Sequence, residues 1–398
     1  MPPAANFSQP GRRPAPEPAV LGLTCRQEGF YWRMAGADES RDKLTAEQPM
    51  GVDSAMSDFF KKLMVLGMGL VMAVPLLAME TAGSFEQACR LAREAGARPY
   101  AAPAFAWPDE LRQLTYDKMR EIEFDTRQAV WRPEGLPFQL QFFHPAFIQN
   151  TQVVMHEVVN GQVVDIPFSR RYFNYRNSGV TGEGWGPISF AGFRVNFPLN
   201  RPENFDELVV FQGASYFRAL AKDMIYGLSA RAIAIDCGQP GGEEFPCFRE
   251  FWVERPEKSA TSLKIVGLFD SPSLAGAAEF VVTPGEETRM ECRVFLAARR
   301  ELVHYGIAPL TSMYWYGKMR SAVADDYRPE VHDSDGLLWK AGGEVWNWRP
   351  LDNDGRLRLS GFGVEALRGY GLLQRERNFA CYQDLEALYH RRPSAWVE

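Results

Sequence analysis

The spacing of hydrophobic residues changes along the chain. Residues 84–98 carry apolar side chains at helical spacing behind Ser84, a residue type that commonly caps helix N-termini. Residues 108–122 show a second short helical pattern, which begins at Pro108. Beyond them, short β-branched and aromatic runs are separated by Gly, Pro, Asn and Asp; they include residues 138–144, 152–159, 192–199, 207–213, 263–270 and 291–299. The pattern predicts two short helices followed by many strands.

The order of these segments predicts a mainly β fold, a large antiparallel β-sandwich. Strands follow one another with turns between them, whereas a parallel sheet needs crossover helices. Asn160-Gly161, between two such runs, is the strongest hairpin signal in the chain. About 270 residues have this texture, and one large multi-stranded sandwich explains them more economically than several small ones.

A charge-free apolar run lies near the start of the chain. Lys61 and Lys62 precede 16 residues, Leu63 to Ala78, that carry no charge, and small residues follow. A basic segment, a short apolar segment and a small-residue exit are typical of a secretory signal peptide. We therefore predict a signal peptide over residues 56–82, with an uncleaved membrane anchor as the alternative. Residues 1–55, rich in Pro, Ala and charge, are predicted to be a disordered or mis-started extension.

Composition and charge restrict the class of partner. The 398 residues have a formal net charge of -6 and no dense block of Lys and Arg, so a nucleic acid is not expected as a partner. The six cysteines form neither a CxxC pair nor a Cys/His cluster with zinc spacing. A nucleotide-binding glycine loop and a GxSxG elbow are also missing from the sequence. We therefore expect neither a metal nor a cofactor.

The densest polar and aromatic segment, residues 314–349, contains candidate acid chemistry. Asp333 and Asp335 stand two apart, so in extended backbone both would point to one face. When two carboxylates lie so near each other, the pKa of one of them rises. A carboxyl group with a raised pKa can stay protonated and act as a general acid. The alternative is a solvated turn before Gly336. His332 could orient the pair, or it could be a structural histidine.

Aromatic side chains in and around this segment could bind the apolar faces of sugar rings. Trp315, Trp346 and Trp348 lie within it, and Tyr216 lies in an earlier segment. In a strand, Trp346 and Trp348 would share one face while Arg349 points to the other. The alternative is that these rings belong to the hydrophobic core.

Two further carboxylates follow predicted strands. Asp236 stands at a strand end, and Glu244 belongs to the loop GGEEFP, where two glycines favour a bent backbone. Each could project into a site, or each could belong to a solvated turn.

A series of motifs makes the chain resemble one protein family. The motifs are FQGASYFRA (211–219), YGLSARAIAID (226–236), EEFPCFREFWVERP (243–256), FDSPSLAGAAEFVVTPGEET (269–288), GIAPLTSMYWYG (306–317), DDYRPEVHDSDGL (325–337), VWNWRPL (345–351) and GYGLLQRERNF (369–379). In this order they resemble the osmoregulated periplasmic glucan biosynthesis proteins of the G and D type (OpgG and OpgD, also MdoG). The similarity extends from about residue 99 to residue 398.

The resemblance implies a periplasmic protein with a galactose-mutarotase-like supersandwich, followed by a smaller immunoglobulin-like domain. We accordingly expect a β-sandwich glucan-handling domain over residues 84–365. Residues 366–398 would be a linker and the start of a truncated immunoglobulin-like domain.

The resemblance also implies chemistry on β-1,2-linked glucan, similar to that of inverting endo-β-1,2-glucanases. The family's His-Asp-Ser-Asp/Asn-Gly motif carries the general acid over to Asp333, with Asp335 as the second choice. The base would be Glu244 or, failing that, Asp236, and it could activate water through a relay. The residues expected to bind substrate are Tyr216, Arg231, Trp315, His332, Trp346, Trp348 and Arg349. The alternative is a glucan-binding factor without chemistry of its own, whose partner is the membrane glucan synthase.

Overall fold

The computed structural model describes residues 20–26, 81–320 and 325–398. Its α-helices lie at Phe85–Gly96 (α1), Asp109–Arg112 (α2) and Tyr116–Arg120 (α3). The hydroxyl of Ser84 accepts a hydrogen bond from the Gln87 amide, as expected of an N-cap. Short 3-10 helices lie at Thr126–Gln128, Arg170–Tyr172, Gly342–Glu344, Phe379–Cys381 and Tyr389–Arg391.

The larger sheet has eleven strands within the described residues. In chain order they are β1 (Val20–Arg26), β4 (Val154–Val159), β5 (Gln162–Asp165), β12 (Cys247–Glu254), β13 (Leu263–Asp270), β14 (Leu274–Thr283), β15 (Arg289–Ala298), β20 (Gly336–Lys340), β21 (Trp346–Pro350), β22 (Gly369–Leu373) and β23 (Ala395–Val397). Their order across the sheet is β21-β20-β22-β23-β1-β15-β14-β13-β12-β4-β5. Neighbours pair antiparallel except β4 and β12, which are parallel.

A second sheet has six strands. They are β3 (Gln139–Phe142), β7 (Gly192–Arg201), β8 (Asn204–Gln212), β9 (Tyr216–Ala219), β10 (Ser229–Arg231) and β17 (Leu310–Thr311), in the order β17-β10-β9-β8-β7-β3. Three two-stranded pairs complete the described strands: β2 (Glu123–Phe124) with β6 (Phe173–Asn174), β11 (Ile233–Ile235) with β16 (Tyr305–Ile307), and β18 (Tyr314–Tyr316) with β19 (Val331–His332).

Phenylalanines from both sheets form the core. Phe193 and Phe211 of the smaller sheet contact Phe251 and Phe280 of the larger one, with ring centroids 4.9 Å apart for Phe193–Phe251 and 5.1 Å for Phe211–Phe280. All four rings are buried, and two apolar sheet faces in contact define a sandwich. The predicted fold class, a mainly β antiparallel sandwich, is confirmed.

Helix α1 covers part of the larger sheet. Its residues Phe85, Ala88 and Ala92 pack against a buried cluster that includes Trp252 and Phe295. Because these positions recur three and four residues apart, they form one apolar stripe on the helix.

The hairpin predicted at Asn160-Gly161 connects β4 to β5, and Val159 pairs with Gln162. Both turn residues have a positive φ, 51° at Asn160 and 75° at Gly161. This is the combination that a two-residue type I′ turn requires. The sequence therefore determines the register of this hairpin locally.

Several predicted segments fall partly or wholly outside the described residues. The extension over 1–55 does so except for the backbone of β1, which pairs with β15, and the signal peptide over 56–82 does so except for its last two residues. Strands β22 and β23, in the segment predicted to begin a second domain, belong to the larger sheet, and the boundary at residue 365 stays a prediction. Where the chain is described, it has no helix long and apolar enough to cross a bilayer.

Candidate functional site

A polar groove lies beside the smaller sheet. Its volume is about 550 Å³. Strands β8, β9, β10 and β17 and the turn after β19 supply its walls. We call this cavity the polar groove; the side chains that matter for its chemistry are Phe143, Glu207, Gln212, Tyr216, Arg218, Tyr226, Ser229, Thr311 and Asp333.

The backbone places Asp333 in this groove. Asp333 directly follows β19, which pairs with β18. Its amide donates a hydrogen bond of 2.8 Å to the carbonyl of Met313, just before β18. This bond fastens the turn beside the end of β17, so the carboxyl group of Asp333 reaches the groove.

The carboxyl group of Asp333 is buried without a hydrogen-bond partner for one of its oxygens. The residue is 8% exposed, and Oδ1 accepts no hydrogen bond from the described residues. Arg392 Nη1 lies 3.4 Å from Oδ1. Burial raises the pKa of Asp333, against the opposing charges of Arg392 and Arg218. A raised pKa was expected, but its cause is burial rather than the charge of Asp335.

Asp335 lies in the turn between β19 and β20, where backbone amides bind its side chain. Its side chain accepts hydrogen bonds from the amides of Arg375, at 2.5 Å, and Glu376, at 3.4 Å. Its own amide donates to the carbonyl of Leu373 at 2.7 Å. Asp335 therefore ties the turn between β19 and β20 to the end of β22, and it does not line the polar groove.

His332 belongs to a buried hydrogen-bond network behind the same turn. Its Nε2 lies 2.9 Å from Glu330 Oε2, and its Nδ1 lies 2.9 Å from Gln374 Oε1. The Gln374 amide group donates to the carbonyls of His332 and Tyr389, so its oxygen must face the ring. Nδ1 therefore donates to Gln374, while Nε2 faces the Glu330 carboxylate. These hydrogen bonds hold His332, the residue directly before Asp333, in place.

Glu330, His332 and Asp335 form the group of described residues most similar to a metal-ligand set. Their ligand atoms lie within 4.8 Å of one another. However, His332 already contacts Glu330, and the Lys318 ammonium group lies 3.9 Å from that carboxylate. A cation is thus supplied by the chain itself, and we interpret the group as an ion-pair network.

Tyr216 and Arg231 are brought together, as the paired strands β9 and β10 require. Tyr216 lines the polar groove, and Arg231 lies across from it in the register of the sheet. The guanidinium of Arg231 donates to the Tyr216 hydroxyl and lies between two rings, 4.1 Å from Tyr216 and 3.8 Å from Phe245. Arg231, which does not itself line the polar groove, therefore fixes the position of the Tyr216 ring.

The two carboxylates predicted as bases lie outside the polar groove. Glu244 accepts hydrogen bonds from the Ser273 amide at 2.8 Å and the Ser273 hydroxyl at 2.7 Å. Burial acts to raise the pKa of Glu244, but bonds from Ser271 and Ser273 outweigh it and hold the pKa below its ordinary value. Asp236 forms an ion pair with Arg300 at 3.3 Å. The structure does not bring either carboxylate to the groove that holds Asp333.

The predicted tryptophans lie at other places. Trp346 is 52% exposed and lines a cavity of about 1370 Å³ on the larger sheet, which we call the tryptophan cavity. Its ring centroid is 5.5 Å from that of Trp396, and the Lys340 ammonium lies 5.2 Å above it. Trp348 is covered by the guanidinium of Arg375 at 4.3 Å.

The remaining predicted binding residues are also outside the polar groove. Trp315 is an exposed ring next to Tyr316. Arg349 lies over the stacked rings of Trp339 and Phe362. Of the residues predicted to touch substrate, only Tyr216 lines the groove with Asp333.

The groove also contains residues that sequence reasoning missed. Glu207, in β8, forms an ion pair with Arg194 of β7. Arg218, in β9, donates to the Ser229 hydroxyl at 2.6 Å. Charged residues within otherwise apolar strands are a usable signal, because they mark the side of a sheet that faces water. Arg392 lies in a polar C-terminal segment and carries no such signal.

A family model described as "Periplasmic glucan biosynthesis protein, MdoG" matches residues 84–398. "Glucans biosynthesis protein G" of Ralstonia nicotianae is 45% identical over 333 residues, which cover 82% of this chain and 66% of that protein. The proteins of the same name from Rhodopseudomonas palustris and Vibrio cholerae are each 45% identical; the matches cover 78% and 79% of this chain. The chain spans 61% and 58% of those two relatives.

Proposed function

Since the chain belongs to the family of periplasmic glucan biosynthesis proteins, MdoG, we propose that it acts in the periplasm and hydrolyses β-1,2-linked glucan during glucan biosynthesis. The names of its relatives support a glucan as the substrate. The signal-like sequence over residues 56–82 supports export to the periplasm. The observation that carries the catalytic part is the buried, incompletely hydrogen-bonded carboxyl group of Asp333 on the polar groove.

In this mechanism Asp333 is the general acid. Burial raises its pKa, which favours the protonated form that a general acid needs before reaction. The proton passes to the glycosidic oxygen as its bond to the anomeric carbon breaks. A water molecule attacks that carbon from the opposite face and gives a proton to a base, which inverts the configuration. Asp335 supports the turn instead of donating the proton.

The base is proposed among three carboxylates. Glu207 lines the polar groove together with Asp333, so it is the candidate that could hold the water directly. Glu244 and Asp236 lie outside the groove and are bound by Ser273 and Arg300, so either would need a relay of water or sugar hydroxyl groups. We propose Glu207 first, Glu244 second and Asp236 third.

Glucan binding in the groove would use both stacking and polar contacts. Tyr216 offers a ring that Arg231 fixes in place. Gln212 and Arg218 offer donors for sugar hydroxyl groups. Phe143 also lines an adjoining cavity of about 450 Å³, which gives a glucan chain room beyond the reacting sugar.

A second candidate function is a glucan-binding factor that assists the membrane glucosyltransferase. The ion pair between Glu207 and Arg194 favours it, because the pairing occupies the carboxylate that would otherwise bind the attacking water. In that case the groove would bind glucan without cleaving it.

Release of reducing ends from linear β-1,2-glucan by the purified chain distinguishes the two functions. We expect wild-type protein to release them. The Asp333→Asn variant should lose about two to four orders of magnitude in rate, the usual contribution of general acid catalysis, while it still binds glucan. Asp335→Asn is the matched control and should keep most of the rate.

Binding without release by the wild-type chain would favour the binding factor. If the wild-type chain neither binds nor cleaves the glucan, the proposal is wrong. Equal losses in the two aspartate variants would refute the assignment of Asp333 as the acid.

A further inference from the structure

Arg392 reaches Asp333 from a distant part of the chain. It follows the 3-10 helix Tyr389–Arg391, and its Nη1 lies 3.4 Å from Asp333 Oδ1. The two side chains are only 19% and 11% exposed. The distance is that of an ion pair without a direct hydrogen bond, which agrees with the lack of a hydrogen-bond partner at Oδ1.

Backbone carbonyls, rather than Asp333, fix the position of Arg392. Its Nε donates to the carbonyl of Ala387 at 2.9 Å, and its Nη1 donates to the carbonyl of Tyr226. The guanidinium also lies 5.1 Å from the ring centroid of Tyr389. These contacts do not depend on the charge of Asp333. Arg392 is therefore in place whether Asp333 carries its proton or has lost it.

Other charged and titratable groups face Asp333 from neighbouring elements. Arg218 faces it from β9, His332 precedes it in the chain, and Tyr389 faces it from the 3-10 helix. Arg218 is bound to the Ser229 hydroxyl, and His332 is bound to Glu330 and Gln374. Among the described residues, Arg392 is the cation at ion-pair distance from Asp333.

We propose that Arg392 is a positioning residue that acts through Asp333: it holds the carboxyl group at the groove and stabilises the carboxylate that remains after the proton has left. This inference rests on the proposed hydrolysis. A general acid must be protonated before the reaction and must lose its proton in the transition state. A fixed positive charge beside it stabilises the second state without having to move.

The pH profile of the reaction tests this role. Above the pKa of the acid the rate falls, because Asp333 is then ionised before reaction. Replacing Arg392 by a neutral residue removes a charge that favours ionisation, so the alkaline limb should move to higher pH. We expect Arg392→Gln to move it by about one unit or more and to lower kcat about tenfold, with little change in KM.

Two further variants separate charge from structure. Arg392→Lys keeps the positive charge and should keep the alkaline limb near its wild-type position. Arg391→Gln removes a neighbouring charge whose guanidinium is bound to the Asp223 carbonyl, and it should leave the limb unmoved. An unmoved limb in a folded Arg392→Gln variant would overturn the inference, as would equal shifts in the Gln and Lys variants.

A carboxyl ¹³C NMR titration of Asp333, assigned with the Asp333→Asn variant, gives the same test without turnover. The titration midpoint should rise in Arg392→Gln and stay lower in Arg392→Lys. Should the wild-type chain release no sugar, the proposed hydrolysis fails while this titration still decides the role of Arg392. Where Arg392→Gln does not fold, Arg392→Lys and Arg392→Met replace it, and equal midpoints in those two would contradict the inference.

Discussion

The polar groove and the tryptophan cavity differ in size and in the side chains that line them. The tryptophan cavity is larger, about 1370 Å³ against 550 Å³, and it contains Trp346 and Trp396. Its acidic lining residues are Asp223, Glu344 and Glu398, of which Glu344 is paired with Lys340 at 2.7 Å.

The polar groove is lined by Phe143, Tyr216, Phe217 and Tyr226 instead of tryptophan, and it holds the buried carboxyl group of Asp333, which lacks a full set of hydrogen bonds. An unsatisfied buried polar group needs a partner, and a ligand can supply one. The tryptophan cavity also has such a group, Nδ1 of His390, but in the polar groove the group is a carboxyl, which can donate a proton to a glycosidic oxygen. The chemistry is therefore proposed at the polar groove.

The largest effect in this comparison should be on the rate of glucan hydrolysis, and it should differ between Glu207, which lines the polar groove, and Glu244, which is bound by Ser273. Glu207→Gln removes the carboxylate that shares the groove with Asp333, and we expect a loss of about two orders of magnitude in glucan hydrolysis. Glu244→Gln removes a carboxylate bound by Ser273, so we expect a lower melting temperature and less than about a threefold loss of rate. Initial rates and thermal unfolding of the two variants measure both effects.

The reverse result would change the assignment of the base. A hundredfold loss in a fully folded Glu244→Gln variant, together with a nearly unchanged rate in Glu207→Gln, would place the water-activating group outside the groove and require a relay. The chemistry of Asp333 would then extend beyond the cavity that it lines.

A smaller effect should appear in glucan affinity. Tyr216→Ala removes the ring that Arg231 holds against the polar groove, and the loss of one aromatic contact should weaken glucan binding about tenfold. Trp346→Ala removes an exposed ring from the tryptophan cavity and should change affinity by less than about twofold. Calorimetric titration with linear β-1,2-glucan, performed on the Asp333→Asn background to prevent turnover, compares the two. A larger loss at Trp346 would reverse the comparison.

The smallest effect concerns stability. Since burial raises the pKa of Asp333 in the folded state, the wild-type protein is most stable, as far as this group is concerned, below the ordinary pKa of about 3.9. It loses that contribution as the pH rises through the folded-state pKa. Asp333→Asn cannot ionise, so it should melt at a higher temperature than wild type near pH 7. The difference should vanish near pH 3, and a variant that melts lower at both pH values would contradict the burial argument.

The fold could be predicted because its signals are local. The hairpin at Asn160-Gly161, the cap at Ser84 and the short strand runs depend on neighbouring residues, and the structure has each of them. The family could be recognised from motifs in order along the chain, and the family model confirms it. These features require no knowledge of which segments meet.

The site was harder to predict because it depends on contacts between segments that are far apart in the sequence. Asp333 and Trp346 lie 13 positions apart in one segment, yet they line different cavities. The turn after β19 enters the polar groove, whereas β21 is at the edge of the larger sheet. Glu207 and Arg392 come from other parts of the chain, and only the folded structure brings them near Asp333. The density of aromatic residues along the sequence therefore did not indicate which of them lie beside Asp333 in the folded protein.

The most direct test of the assignment to the polar groove is an experimental structure of the Asp333→Asn variant with a linear β-1,2-glucan oligosaccharide. We predict a sugar ring beside Tyr216 and a glycosidic oxygen within about 2.6–3.2 Å of the side chain at position 333, the reach that proton transfer requires. An oligosaccharide bound only in the tryptophan cavity, or one in the groove with every glycosidic oxygen far from that side chain, would contradict the assignment.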